Sequence, residues 1–191
     1  MLNSDAEPVA GAYNRRYVIE QLSKELESSR LFDQPVALLI CSLDGLPQID
    51  ETLGSGTGAE IVRGFVGGVL GSIRGQSDWM ARIDVDQFLL VLPQTGLSGG
   101  RHVAERLQRL LKDQPPLSFK GPTELTMSIG VTALENSYEL MSVPILEFLR
   151  TVDHCLHTSR RLGCGHVTAQ TALQARALSA DIQSRPKHDF N

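Results

Sequence analysis

The sequence has few of the residues that mark secreted, metal-binding or membrane-spanning proteins. Its three cysteines, Cys41, Cys155 and Cys164, are an odd number without the spacing of a metal site. We therefore expect a reduced cytoplasmic protein with buried thiols. The longest apolar run, near residues 36–41, is too short to span a bilayer. The N-terminal residues lack the apolar stretch of a signal peptide.

Charge of neither sign dominates the chain. There are 18 Lys and Arg against 22 Asp and Glu, a net charge of −4, and the cations are spread along the sequence. This distribution argues against a role on nucleic acid or in direct contact with a membrane surface. A hydrophobic content of 41% with 21% charged residues is that of a globular protein. The 191 residues suffice for one domain with an extension.

Apolar periodicity predicts helices that alternate with strands. The predicted helices cover about 14–29, 58–74, 103–111 and 145–156, and the predicted strands cover 36–45, a hairpin at 80–92, 124–134 and 165–169. This order predicts an α/β (α+β) fold with a central, mostly antiparallel sheet flanked by helices. We expect residues 1–169 to form the domain and residues 170–191 to form a polar helical linker or tail outside the core.

The hairpin "MARIDVDQFLLVLP" has an unusual tip. The turn is expected at Asp84-Val85-Asp86-Gln87, and the strand after it begins at Phe88 and is continuously apolar. Tight hairpins favour Gly or Asn where φ must be positive. Val85 is β-branched, and such a residue is poorly suited to a positive φ.

Five segments in order resemble the GGDEF domain, the diguanylate cyclase fold, from about Glu7 to Thr168. "EPVAGAYNRRY" resembles DPLTGLYNRRY, and "LLICSLDGLPQIDETLGSGTGAEIV" resembles LLLxDIDxFKxINDxxGHxxGDxxL. "ARIDVDQFLLVLP" resembles ARxGGDEFxxLLP, "MSIGVTAL" resembles the SIGVA strand, and "VDHCLHTSRRLGCGHV" resembles ADxALYxAKxxGRNRV. The resemblance implies a nucleotidyl-cyclase-like fold. In active members two such domains condense two GTP into cyclic di-GMP with divalent metals, usually Mg²⁺.

The resemblance places altered residues at the metal and turn positions. Ser42 replaces the first Asp of DxD and lacks its carboxylate, whereas Asp44 keeps the second. The motif GGDEF reads Asp84-Val85-Asp86-Gln87-Phe88, so both glycines and the Glu are replaced. Asp86 keeps the metal-binding acid and is a weak candidate for a metal ligand.

The nucleotide-binding positions are altered as well. The guanine-reading Asn and Asp fall on Asp50 and Ala59, and an Asp carboxylate cannot donate to guanine as an Asn amide can. Pro47 replaces a phosphate-contacting Lys, Ser55 the His of GH, and Cys164 the Arg of GRN. Arg160 falls on a phosphate-binding Lys and is a weak phosphate candidate, although a surface role is the plainer interpretation.

These replacements predict that the hairpin is the remnant of a catalytic turn. Either the turn has changed shape, or it holds backbone strain of ~1–3 kcal/mol. The loss of one charge-stabilising group costs roughly 10²–10³ in rate, so the combined losses argue against synthesis of cyclic di-GMP. Asp44 and Asp50 are more simply interpreted as solvated loop carboxylates.

A second family site, an inhibitory product site marked RxxD, is out of register. When Arg82 is aligned with the Arg of the hairpin motif, Asp78 occupies the Asp position of RxxD and Gly75 occupies its Arg position. Arg74 lies one residue earlier and gives RxxxD. A guanidinium can bind guanine or phosphate in a bidentate manner, so Arg74 and Asp78 are candidate remnants of this site.

Two classes of function follow from the resemblance. The first is a catalytically inactive regulatory, scaffolding or protein-interaction domain without a cofactor. Such a domain belongs to a larger signalling protein with EAL phosphodiesterase or sensor domains, as in FimX-like receptors, and homodimerisation is an open option. The second is a residual GTP-binding switch or weak diguanylate cyclase that controls a neighbouring EAL domain, and only this class requires Mg²⁺.

Overall fold

The computed structural model describes residues 13–113 and 125–175, except for the side chains of 13–17 and 55. Helices and strands are interspersed along the chain. In order they are β1 Tyr13–Asn14, α1 Arg15–Phe32, β2 Val36–Asp44, α2 Leu46–Leu53, α3 Ser55–Ser72, β3 Trp79–Arg82, β4 Gln87–Pro93, α4 Leu97–Asp113, β5 Thr126–Leu134, α5 Ser137–Ser142, α6 Ile145–Arg161 and β6 Val167–Ala169. Within the described residues, no helix is both long and apolar enough to cross a membrane.

The strands form one six-stranded sheet in the order β1-β3-β4-β2-β5-β6. The three pairings β3–β4, β4–β2 and β2–β5 are antiparallel, and the short edge strands β1 and β6 pair in parallel. The central strand β2 is buried along its whole length because both neighbours and both layers of helices cover it. The mostly antiparallel sheet flanked by helices confirms the predicted fold class.

Alternate residues of β2 supply two separate hydrophobic cores, one on each face of the sheet. Leu39 and Cys41 face the core built with α2, α3 and α4, whereas Leu38 and Ile40 face the core built with α1, α5 and α6. Ser42 and Asp44 continue the second set. The polar end of β2 therefore lies on the same sheet face as α1 and α6.

Gly130 allows α6 to pack closely on the sheet. A Cβ at this position of β5 would lie 2.3 Å from the backbone nitrogen of Leu156 and 2.4 Å from the carbonyl oxygen of Val152, so no side chain fits there. The last turn of α6 is fixed by the hydroxyl of Ser159, which donates to the carbonyl of Ile129 over 2.8 Å. These contacts bring Arg160 to the end of β2.

The structure corrects several sequence-based boundaries. The first helix continues to Phe32, and the segment after β2 contains a separate short helix, α2, before α3. The expectation that residues after Gln170 lie outside the core is wrong for two of them. Ala172 is fully buried and Leu173 packs against the core between α1 and α6. The predicted tail therefore begins inside the packed body of the domain.

Candidate functional site

The candidate site lies where the end of β2 meets the hairpin turn, the start of β5 and the end of α6. The sheet register places Ser42 between Gln87 of β4 and Ser128 of β5, with Asp44 opposite Thr126. Four segments that are distant in sequence thus bring polar side chains to one edge of an otherwise apolar sheet. The site includes Ser42, Asp44 and Asp86 of the predicted positions, together with Arg160.

The guanidinium of Arg160 occupies the centre of this group. Its Nη2 lies 3.1 Å from Oδ2 of Asp86 and donates to the hydroxyl of Ser42, and its Nε lies 3.6 Å from Oδ1 of Asp44. The hydroxyl of Ser42 in turn donates to Asp86 over 3.2 Å. Because 31% of the Arg160 side chain is exposed, it is neither fully buried nor a free surface cation. The interpretation of Arg160 as an ordinary surface residue is therefore wrong.

Asp44 is a buried carboxylate with a full set of partners. Its Oδ2 accepts from the hydroxyl of Ser128 over 2.7 Å, from the hydroxyl of Thr126 over 3.2 Å and from the backbone nitrogen of Gly165 over 3.3 Å. Its other oxygen faces Arg160. Asp44 is 9% exposed and ends a strand, so its interpretation as a solvated loop residue is wrong.

The hairpin turn covers residues 83–86, one position earlier than expected, and its residues do not have a positive φ. Gln87 belongs to β4, and its carbonyl accepts from the backbone nitrogens of Ile83 over 2.9 Å and Asp84 over 3.2 Å. Among the described residues only Asp33 and Gln94 are non-glycine residues with positive φ, so neither Asp84 nor Val85 is in that region. Of the two sequence-based alternatives, the turn strained by a positive φ at Val85 is therefore wrong.

Two side chains hold the turn in this shape. The carboxylate of Asp84 accepts from the backbone nitrogen of Val85 over 2.7 Å, and the guanidinium of Arg82 donates to the carbonyls of Asp84 and Val85. The carbonyl of Asp86 also accepts from the backbone nitrogen of Leu43, over 2.9 Å, which ties the turn to β2. Asp84 and Val85 themselves are exposed at the tip.

The predicted guanine-reading positions lie apart from this group of side chains. Asp50 is on α2 rather than in a loop, and its Oδ1 accepts from the backbone nitrogen of Gly58 over 2.9 Å, which joins α2 to α3. Ala59 and Pro47 are exposed, and Cys164 is exposed in the loop after α6. The side chain of Ser55 lies outside the described residues. Asp50 and Ala59 thus offer one carboxylate, already engaged, and a methyl group.

The oxygen atoms at the candidate site are not arranged to coordinate a divalent cation. Mg²⁺ requires several oxygen ligands in near-octahedral geometry, but the oxygens of Ser42, Asp44 and Asp86 that face each other already surround a guanidinium. In the described ranges 13–113 and 125–175, no group of three or more His, Cys, Asp or Glu side chains is arranged to hold a metal. A metal here would have to displace Arg160.

Arg74 and Asp78, the candidate inhibitory-site residues, bind each other. Arg74 Nη2 lies 2.7 Å from Asp78 Oδ1, and the same nitrogen donates to the carbonyl of Pro93 and the hydroxyl of Thr95. The Asp78 side chain is only 4% exposed. The pair closes the loop before β3 onto the end of β4, while the Arg74 side chain stays 51% exposed.

Sequence reasoning missed the polar residues that support Asp44. Ser128 and Thr126 lie in a strand that was interpreted only as a match to the SIGVA segment, although two hydroxyls beside apolar residues on one face were a visible signal. Gly165 contributes only a backbone nitrogen, which no sequence pattern reports. The pairing of Arg160 with both carboxylates depends on tertiary structure alone.

Comparison with known proteins identifies a family that shares this architecture. Residues 4–164 match the family model for the diguanylate cyclase GGDEF domain. Among curated proteins, the diguanylate cyclase DgcP of Pseudomonas aeruginosa is 28% identical over 158 residues, which is 82% of this chain and 22% of DgcP. The chain therefore spans about a fifth of the length of that relative.

Solved structures agree with the family match. The diguanylate cyclase SiaD of Pseudomonas aeruginosa, solved in complex with its activator SiaC, has a TM-score of 0.71 and 26% identity over 85% of this chain and 60% of SiaD. The GGDEF domain of FimX from the same species has a TM-score of 0.72 and 18% identity over 85% of this chain and 98% of that domain. At 18% identity the FimX likeness is one of fold alone.

Proposed function

This chain belongs to the GGDEF diguanylate cyclase family, and from that premise we propose that it is a non-catalytic, regulatory or protein-interaction domain of cyclic di-GMP signalling. The proposal depends on one observation above the others. In the family, the positions of Ser42 and Asp86 supply metal-binding carboxylates. Here one carboxylate is a hydroxyl, and the guanidinium of Arg160 lies between that hydroxyl and the remaining acid.

A permanent cation in this place removes the need for a metal and blocks its approach. The charge of Arg160 offsets one of the two negative charges of Asp44 and Asp86 without any ion from solution. A hydrated Mg²⁺ loses its waters reluctantly, and binding would also require these ion pairs to break. Neither cost is offset by a third carboxylate, because Ser42 has none.

The hairpin turn supports the same proposal. Two glycines would let the backbone approach a nucleotide closely, whereas Asp84 and Val85 add a carboxylate and an isopropyl group at the tip. The turn is fixed by internal hydrogen bonds rather than by a ligand. The triphosphate of GTP would therefore meet an added negative charge and a bulkier surface.

The proposed setting is a cytoplasmic signalling protein in which this domain is one part. The chain corresponds to 22% of the length of DgcP and 60% of the SiaD chain, so relatives carry further segments. SiaD was solved with a protein activator, which supports protein contacts as a working mode for such domains. We extend this to neighbouring sensor or EAL domains as partners of the present chain.

A second candidate function is a residual GTP-binding switch. It is favoured by one observation: Asp86 retains the acidic position, and about a third of the Arg160 side chain remains exposed. If Arg160 turned outward to a phosphate, Asp86 would be released. Nucleotide binding would then alter the hairpin without chemistry.

Two measurements test the proposal. Purified protein with GTP and Mg²⁺ should yield no cyclic di-GMP by chromatography, and titration calorimetry with GTP and Mg²⁺ should show no saturable heat. Turnover at an ordinary enzyme rate of ~1 s⁻¹ would overturn the proposal. Saturable binding without product would establish the switch instead.

Arg160→Met provides a positive control for the role of the guanidinium. With the cation removed, Asp44 and Asp86 become available to a metal, so Mg²⁺ or Mn²⁺ should raise the melting temperature of this variant. The unmodified protein and Arg161→Met, which changes the exposed arginine next along α6, should not respond. Equal responses in all three proteins would mean that Arg160 does not occupy the place of a metal.

A further inference from the structure

An open groove of about 500 Å³ lies between α1 and α6, on the sheet face opposite the α3–α4 layer. The sheet residues Ile40 and Leu89 form its floor and are almost fully buried. Ile19 of α1 and Leu146 of α6 line its mouth and are 52% and 60% exposed, although both are large and apolar. A groove of this size with mostly apolar walls is typical of sites that bind small molecules.

Charged side chains of both signs line this α1–α6 groove. Arg150 and Asp153 line it from α6, and Asp84 lines it from the hairpin turn. Within residues 13–113 and 125–175 the guanidinium of Arg150 makes no ion pair, so it neutralises neither carboxylate. The groove therefore presents an unpaired cation and two acids to a molecule that enters it.

The two carboxylates differ in their contacts. Oδ2 of Asp153 lies 3.5 Å from Nε2 of His157, one turn further along α6. Oδ1 of Asp84 accepts from the backbone nitrogen of Val85, and this contact fixes the Asp84 carboxylate in the wall of the groove. A group that is already fixed loses little conformational freedom when a ligand binds. Asp84 is therefore the better partner for a cationic ligand group.

The α1–α6 groove is separate from the candidate site at the end of β2. Its walls do not include Ser42, Asp86 or Arg160. The two sites share only the hairpin, which contributes Asp84 and Gln87 to the groove. A ligand in the groove would thus contact the hairpin without displacing Arg160 from its carboxylates.

We propose that the α1–α6 groove binds a short apolar peptide with free termini. The peptide carboxylate pairs with Arg150, its ammonium pairs with Asp84, and its side chains cover the apolar floor. A fatty acid would pair with the guanidinium but would bring no cation to the acids, and an apolar amine would leave the guanidinium unpaired. A zwitterion with apolar side chains matches the charges of both signs and the apolar walls.

Titration calorimetry with dileucine and trileucine tests the proposal. Both peptides should give saturable heat, whereas diserine, which keeps both termini but lacks apolar side chains, should give none. Acetylation of the N-terminus and amidation of the C-terminus should each weaken binding by about tenfold or more, the loss expected for one charge-assisted hydrogen bond. Absence of saturable heat with the leucine peptides, or equal affinities of free and blocked peptides, would overturn the proposal.

Paired changes in protein and peptide identify the contacts. Arg150→Gln should weaken binding of free dileucine by about tenfold or more but leave the affinity of the amidated peptide unchanged. Asp84→Asn keeps an oxygen for the backbone nitrogen of Val85, and it should weaken only peptides with a free ammonium. Arg161→Gln is the matched control, because Arg161 is exposed on the same helix and does not line the groove.

The pattern of losses decides the outcome. If Arg150→Gln weakened free and amidated peptides equally, the guanidinium would not bind the peptide carboxylate and the proposal would be wrong. The same holds for Asp84→Asn if it weakened free and acetylated peptides equally. These titrations contain no GTP, so their failure would leave the proposed function intact, and cyclase activity would contradict the proposed function alone.

Discussion

The Nη2 atom of Arg160 lies 3.1 Å from Oδ2 of Asp86, so the last turn of α6 is ion-paired with the hairpin turn 74 residues earlier. The same guanidinium faces Asp44 at the end of β2. One cation therefore joins the helix, the central strand and the hairpin. A covalently fixed positive charge therefore lies between the side chains of Ser42 and Asp86.

Replacement of Arg160 by Met should destabilise the fold. The change keeps much of the apolar stem but leaves Asp44 and Asp86 close together without a cation. We expect the free energy of unfolding to fall by about 1–3 kcal/mol, since partly buried charged groups lose their partners. Urea unfolding followed by circular dichroism measures the effect, with Arg161→Met as control. Equal urea midpoints for the two variants would show that the ion pairs of Arg160 do not stabilise the fold.

Much of the fold was predictable because its signals are local. The hairpin, the buried strand β2 and the apolar faces of the long helices follow from periodicity alone. The short helix α5 was missed although its signal was present. The side chain of Asn136 accepts from the backbone nitrogen of Glu139, the usual N-cap contact. The break between α2 and α3 falls at Gly54, whose φ of 92° only glycine adopts readily.

The candidate site was predictable in part. Position-by-position comparison found Ser42, Asp86 and the altered turn, because each falls on a known position of a family motif, either changed or kept. It could not find what Arg160 does. A long side chain reaches whichever partner the tertiary structure presents, and Gly130 determines this by letting α6 approach the sheet. It could not show whether Val85 was strained either, because one residue type fits turns of several shapes.

Return of the glycines to the turn should lower stability. Asp84→Gly with Val85→Gly removes no strain, because neither residue has a positive φ. It also removes the hydrogen bond that the backbone nitrogen of Val85 donates to the Asp84 carboxylate. Each glycine adds freedom to the unfolded chain, about 0.5–1 kcal/mol per position. A rise in the melting temperature would show that the turn is strained after all.

Arg74→Lys should not preserve the contacts of Arg74. The guanidinium meets both oxygens of Asp78 and also the carbonyl of Pro93, a geometry that one ammonium cannot reproduce. We expect the free energy of unfolding to drop by about 1–2 kcal/mol, comparable to the drop for Arg74→Ala. Arg63→Lys, at an exposed position on α3, is the control. Full stability in the lysine variant would mean that charge alone suffices.

The three cysteines should differ sharply in reactivity. Cys164 is exposed, whereas burial raises the pKa of the Cys155 thiol to about 11 and raises that of Cys41 further. The thiolate is the reactive form, so near neutral pH a disulfide reagent should titrate one thiol quickly in the folded protein and all three after denaturation. Loss of the fast phase in Cys164→Ser confirms the assignment. A second fast-reacting thiol in that variant would show that Cys41 or Cys155 is accessible to the reagent.

Restoration of catalysis should require several changes together, because catalytic groups that act as a unit are strongly non-additive. Ser42→Asp alone returns a carboxylate, but it places that carboxylate beside Arg160, which would hold it as it holds Asp86. We therefore expect no cyclic di-GMP from this variant. Nor should the turn repair alone give product, because the guanidinium of Arg160 would still lie between Ser42 and Asp86.

The set of repairs should first restore GTP binding, and only when Arg160 changes too. The repairs are Ser42→Asp, Asp50→Asn, Ala59→Asp, Asp84→Gly and Val85→Gly. Asp50→Asn keeps an oxygen for the backbone nitrogen of Gly58, so the α2–α3 contact should survive. With Arg160→Lys added, a shorter and rotatable cation leaves room for Mg²⁺, and GTP with Mg²⁺ should raise the melting temperature. Without the Arg160→Lys change, GTP with Mg²⁺ should leave the melting temperature unchanged. Rapid synthesis by Ser42→Asp alone would show that neither the guanidinium nor the turn closes the site.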